Sequence, residues 1–323
     1  MQPHDISKQD LMQNTTDKVR KTYFDRFDEM ELEYQLHFAS RLSAWNGDQA
    51  AKQKLADLEH IVVPSSHDER IKNLEDVRLE LAAKDFERDV NNYQARKPFF
   101  EKYPDLLLVH NALFRIRHWY CIYGIDEREG LFEVLPKQQV EAMITELSGD
   151  KEAVRVLSTY AINVFYLYEK LYADDKDVID IDKILGLKES YDHSDKKDLQ
   201  MLIYLYAHCI LGETLFYAQP VQKRLGAYLE MLKQIETILE RNYDDVNLDN
   251  KFEFLVCARI CDYQTKLASK IYDEAERSLN DEGFIVDKFN QNSSPAKQTF
   301  LMSEHRNVLF IMSHTEPLFN KGD

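Results

Sequence analysis

A chain of 323 residues that is 44% hydrophobic and 11% aromatic is long enough for about two domains with sizeable cores. It is 30% charged, carries a formal net charge of −16 and shows no basic stripe, so nucleic acid and anionic membrane surfaces are excluded as expected partners. No apolar run approaches the ~18 residues of a spanning helix, and Met1-Gln2-Pro3-His4-Asp5 has neither a basic nor an apolar leader region. The composition is read as cytoplasmic, and an effector exported by another route would look the same.

Gly and Pro are scarce (nine and eight), no segment alternates with period two, and no Asn-Gly or Asp-Gly turn occurs. The expected fold is all-α. From the N-terminus, Val19, Tyr23, Phe27, Met30, Tyr34, Phe38, Leu42 and Trp45 step by three or four, which predicts one long amphipathic helix over 16–46, stopped by Gly47. A short helix runs to about His60. Ser66-His67-Asp68-Glu69 is a capping box. It opens a second long helix to about Lys102, with a stripe at Ile71, Leu74, Val77, Leu81, Phe86, Val90 and Tyr93. Residues 1–103 are therefore expected to form a long antiparallel helical hairpin, with 16–102 a surface for a partner or for homo-oligomerisation. This region holds 16 basic and 20 acidic residues, so 104–323 carries −12 of the −16.

From Pro104 onward the helices become more apolar. They are predicted at about 104–123, 136–148, 150–173, 194–218, 221–242, 248–280 and 296–313. Pro104, Pro136, Pro220 and Pro295 stand near helix starts, where a missing N–H costs nothing. Segments apolar all round, such as Leu106 to Tyr123 and Tyr160 to Tyr166, read as buried. More polar helices alternate with them, which fits helical-hairpin repeats in an α-solenoid or an α/α barrel over 104–323.

The apolar helices carry misplaced polar groups: His110, Asn111, Arg115 and His118, then Asn163, then His208 and Glu213, then Arg259 and Asp262, then His305, Arg306 and Asn307. Steps from Asn111 to Asn163, His208, Arg259 and His305 are 52, 45, 51 and 46 residues, about one helical hairpin each. Buried polar groups need partners, so their recurrence points to a shared polar groove. Asn111, Arg115, His118, Asn163, His208, Arg259, Asp262 and His305 are the candidate ligand-binding residues. Arg115, His118, Arg259 and His305 would hold an anionic group. The plainer reading gives each helix one polar edge paired locally, as Arg259 would pair with Asp262 at i+3. His208 and Glu213 lie about 140° apart on a helix and do not form a dyad.

No catalytic, metal or cofactor set is assigned. Cys257 and Cys261 are i, i+4 without a nearby histidine. Glu33 and His37 lack the facing motif of a di-metal bundle and read as exposed charge. Asp174 to Asp182 is an acidic loop. Asp245, Asn247 and Asp249 begin like a calcium loop, but Asn250 replaces its glycine and Val256 its bidentate glutamate. The four cysteines sit in apolar segments and read as reduced and buried. The sequons at Asn14 and Asn292 matter only on secretion. The expected function is a helical interaction protein binding a peptide, a protein or a small anionic ligand in a concave face. The alternatives are an enzyme with an Arg/His-lined cavity and a structural assembly protein.

Overall fold

Three- and four-residue apolar spacing with few breakers produces helix after helix. The computed structural model describes residues 8–83, 90–173, 177–290 and 293–320. Among them are sixteen α-helices and no strand beyond one isolated bridge, Leu279 to Ile285. In order they are α1 (Lys8–Asp25), α2 (Leu32–Asn46), α3 (Gln49–Val62), α4 (His67–Ala83), α5 (Val90–Lys102), α6 (Leu106–Tyr123), α7 (Gly130–Val134) and α8 (Lys137–Gly149). Then come α9 (Lys151–Leu157), α10 (Thr159–Tyr172), α11 (Ile181–Leu185), α12 (Lys196–Glu213), α13 (Leu225–Arg241), α14 (Leu248–Ile260), α15 (Ala268–Ser278) and α16 (Glu304–His314). Among the described residues, no helix is long and apolar enough to cross a membrane. The readings that fall on Met1–Asp5, Phe86, Asp174 to Lys176 and Asn292 lie outside the described residues, as do the side chains of Leu81, Val90 and Tyr93.

The chain forms two compact units, one of residues 1–56 with 228–323 and the other of 57–227. The first unit surrounds α16, which packs against α1, α2 and α14. Tyr23 of α1 donates from its hydroxyl to the Phe300 carbonyl, and the Trp45 indole of α2 donates to the Thr315 carbonyl and hydroxyl oxygens at 3.1 Å. The second unit surrounds α10, which lies between α6 and α12 and buries every residue from Ala161 to Leu171 except Lys170.

This division corrects the expected boundary at 103. The long helix expected over 16–46 is two helices, because the chain leaves α1 at Asp25, turns through Phe27–Glu29 and restarts at Leu32. The stripe meant for a free hairpin is spent on the C-terminal helices: Tyr23, Phe38 and Trp45 are fully buried. Such joining of chain ends is not made by a stack of sequence-neighbouring hairpins. The capping box forms as expected, with Glu69 N–H donating to Ser66 Oγ and Ser66 N–H to the Glu69 carboxylate, both at 3.3 Å.

Candidate ligand-binding site

Three helix ends fix the register of the site. α6 stops at Gly124, whose φ of 69° suits a residue without Cβ. α10 begins after Ser158, held at φ 49°, which splits the single helix expected over 150–173. α12 begins at Asp195, whose carboxylate accepts from the N–H groups of Lys197 and Asp198.

These registers bring Asn111, Asn163 and His208 together with His110. His208 Nδ1–H donates to Asn163 Oδ1 at 2.8 Å. Asn163 Nδ2 then donates to His110 Nε2 at 3.4 Å, and His110 Nδ1–H to Asn111 Oδ1 at 3.1 Å. The row runs one way across α12, α10 and α6. It places a proton on Nδ1 of both imidazoles and leaves His110 Nε2 without one, since a second proton on His110 would face the Asn163 amide donors. Burial lowers the His110 pKa to about 4, against the opposing bond to Asn111.

Aromatic rings flank the row. Centroid separations are 5.5 Å from Phe100 to Tyr160, 5.0 Å from Tyr160 to His110, 4.9 Å from His110 to Phe114, and 4.9 Å from Phe114 to Phe216. His208 closes the series 6.2 Å from Phe216. At the Tyr160 end the Arg96 guanidinium lies 5.3 Å over the ring. Its hydrogen bonds go to neutral atoms, the Val156 carbonyl at 3.2 Å and Met201 Sδ at 3.9 Å. No carboxylate pairs with it among the described residues.

Phe216 reaches its place through an unusual turn. Leu215, Phe216 and Tyr217 follow α12 with φ of 50°, 53° and 75°, three left-handed residues in succession and none of them glycine. Each such residue costs about 1–2 kcal/mol. Buried Arg117 offsets this by donating from Nε to the Leu215 carbonyl at 3.1 Å and from Nη2 to the Phe216 carbonyl at 2.6 Å. The sequence offered no breaker to announce the turn, and nothing in it marks Arg117 as the residue that holds it.

The remaining candidates go elsewhere. Arg115 Nη1 donates to the carbonyl and the side-chain oxygen of Asn73 on α4, at 2.6 and 2.8 Å. His118 packs edge-on to Tyr123, and burial lowers its pKa to about 4. Arg259 donates to the Ser313 carbonyl and pairs with Glu316 rather than with Asp262. Asp262 is an exposed residue at φ 50° just past the end of α14. His305 faces Asp249 and His37. Arg115 and His118 thus belong to one unit and Arg259 and His305 to the other, each with partners inside its own unit. The four residues expected to hold an anionic group therefore each have local partners.

The calcium-like segment is a helix start: Asn247 accepts from the Asn250 N–H at 2.8 Å, and Asp249 turns to Arg306. No group of three or more His, Cys, Asp or Glu among the described residues is placed to hold a metal. No disulfide joins the four cysteines; Cys209, Cys257 and Cys261 are buried and Cys121 half-buried. A cavity of about 320 Å³ in the same unit, walled by Val154, Phe165, Ile179, Ile184 and Leu187, does not include the polar row. Of the two lysines that line it, Lys151 and Lys183, the second pairs with Asp180 at 2.9 Å.

The chain belongs to the family described as Domain of unknown function (DUF3541), whose model matches residues 12–315. No curated protein and no solved structure matches it.

Proposed function

We propose that the chain is a binding protein for a small ligand that joins a planar ring to one anionic group, held along α5, α6, α10 and α12. The observation that carries this reading is Arg96, a cation at the head of the ring series with no carboxylate partner among the described residues. A guanidinium suits a carboxylate or a phosphate bidentately. Tyr160 and Phe114 supply ring faces, and the His–Asn row supplies directional hydrogen bonding without charge. A peptide ending in an aromatic residue presents the same two groups.

Thermal melting with benzoate, indole-3-acetate and the neutral analogue benzamide tests the reading. Mass action predicts that the two anions raise the melting temperature with concentration and that benzamide does so far less. Arg96→Gln should remove the anion effect, and Arg259→Gln should leave it. An equal response to benzamide, or a benzoate response that survives Arg96→Gln, would show that this face does not bind such ligands.

A further inference from the structure

Within 57–227 a second place has the dimensions of a ligand site. The cavity of about 320 Å³ is bounded by the end of α8, by α9, α10 and α11, and by the stretch 177–180. Its volume stands at the lower end of the roughly 300–1,000 Å³ of ligand cavities. Close-packed interiors hold few voids larger than a water molecule, and apolar voids take up apolar ligands. The apolar lining consists of Val154, Phe165, Val178, Ile179, Ile184 and Leu187. Apart from Phe165 these are branched aliphatic side chains. Such a wall offers a single ring face and suits an alkyl chain rather than a planar ring.

The stretch 177–180 is tied down from outside the cavity. Glu169 of α10 is only 6% exposed, and its Oε2 accepts from the N–H groups of Val178 and Ile179 at 2.8 and 3.3 Å. Arg224 donates from Nη1 to Glu169 Oε1 and from Nη2 to Asp177 Oδ1, both at 2.7 Å. It also reaches buried Glu213 at 3.3 Å. Asp180 accepts from the Lys183 N–H at 3.2 Å and so fixes the start of α11. These bonds form without a ligand, so an incoming chain meets walls already in place.

Four charged side chains line the same cavity: Asp177, Asp180, Lys151 and Lys183. Three of them are committed. Asp177 pairs with Arg224 at 2.7 Å and with Lys223 at 3.5 Å, and Asp180 pairs with Lys183 at 2.9 Å. Lys151, an exposed residue at the start of α9, makes no ion pair or side-chain hydrogen bond among the described residues. One ammonium is thus left over where the other charges cancel. It matches a single negative charge. Asp177 and Asp180 would repel a second one, which favours a carboxylate over a phosphate dianion.

We propose that this cavity binds a medium-chain aliphatic carboxylate, with the alkyl chain against Val154, Ile179, Ile184 and Leu187 and the carboxylate at Lys151. The site is separate from the ring series and does not rest on it, since α5, α6 and α12 lend it no lining residue. Methylene burial supplies most of the affinity, and the accessible ion pair sets the preference for an anion.

Titration of the isotope-labelled full chain with butanoate, hexanoate, octanoate and 1-octanol, followed at the methyl resonances of Ile179, Ile184 and Leu187, tests both parts. Each buried methylene tightens binding by up to about fourfold, so octanoate should bind at least about tenfold tighter than butanoate. Lys151→Gln should weaken octanoate by about twofold to fivefold, the span of one accessible ion pair, and leave 1-octanol unchanged. Arg96→Gln should leave octanoate unchanged, and Lys151→Gln should leave the benzoate response unchanged, so either site can fail without the other. The proposal is overturned if affinity does not rise with chain length, or if octanoate shifts none of these methyl groups. It is also overturned if Lys151→Gln affects octanoate and 1-octanol alike, or if Arg96→Gln abolishes octanoate binding. Should the Lys151 variant fail to fold, contacts in the wild type decide. Nuclear Overhauser effects must link the octanoate chain to Ile179 or Ile184 and its C2 protons to Lys151, and their absence at saturation refutes the site.

Discussion

Asn163 is where one side chain holds two others. It accepts from His208 and donates to His110 while only 5% exposed. Asn163→Leu keeps the volume but leaves both imidazoles facing an apolar group, and should cost about 2–3 kcal/mol in a urea unfolding series. A loss under about 1 kcal/mol would mean that the row does not hold these helices. Proton uptake offers a second reading of the same residues. In the unfolded chain His110 and His118 titrate near 6.5; in the folded chain burial lowers both to about 4. The unfolded state therefore binds protons first as the pH falls, so their contribution is complete above 6.5 and is lost down to about 4. Histidine resonances titrating near 4 and a melting temperature that drops across that window are the expected results, and midpoints near 6.5 would refute them. Asn163 and His208 were legible because a polar group in an apolar run has few places to go. The contact of His37 with Glu304 was not, since an acid at a helix start reads as favourable to the dipole and the two lie 267 residues apart.

Close approach and left-handed breaks govern the elements. Gly212 of α12 faces Tyr166 of α10, and a Cβ there would stand 2.6 Å from the Tyr166 Cβ and Cγ. Gly212→Ala should destabilise by about 1–3 kcal/mol, because two packed backbones must part. Equal chemical denaturation midpoints for the two proteins would show that the contact is loose. Arg117→Ala should cost about 2–4 kcal/mol, since it strips two carbonyls and frees a strained turn. Conversely Asp262→Gly, at an exposed left-handed position, should be neutral or stabilising by up to about 1 kcal/mol. Helix existence was readable from periodicity. Breaks at Ser158, at Asp262 and between Asp25 and Leu32 were not, because none carries glycine or proline. Breaks of this kind leave the apolar spacing on either side unchanged, so periodicity does not encode them. By contrast Gly47 and Gly124 end α2 and α6 at φ 71° and 69°, where turn chemistry is written locally.

At the scale of the molecule, 57–227 is one continuous stretch with its own core around α10, whereas the other unit needs both chain ends. A fragment of 57–227 should therefore unfold cooperatively by itself, as seen in calorimetry or circular dichroism. A fragment of 104–323 should not behave as a complete domain, because it lacks the α1 and α2 that cover α16. A cooperative, soluble 104–323 fragment with a melting temperature equal to the full chain would restore the boundary read from composition. That reading failed because the stripe of 16–46 is the same whether its partner is the next helix or one at the far end of the chain.

The pairing of α1 and α2 with α16 also has a consequence in time. Ribosomes add roughly 5–20 residues per second, so α2 is complete roughly 10–50 s before α16 emerges. Throughout that wait the faces of Tyr23, Phe38 and Trp45, fully buried in the finished protein, have nothing to cover them. The unit between can fold as it leaves the exit tunnel, while the amino-terminal helices remain open to chaperones until the last twenty residues of the match arrive. Stalling synthesis before residue 304 should leave an amino-terminal segment that proteases cut readily and chaperones retain, and completing the chain should end both.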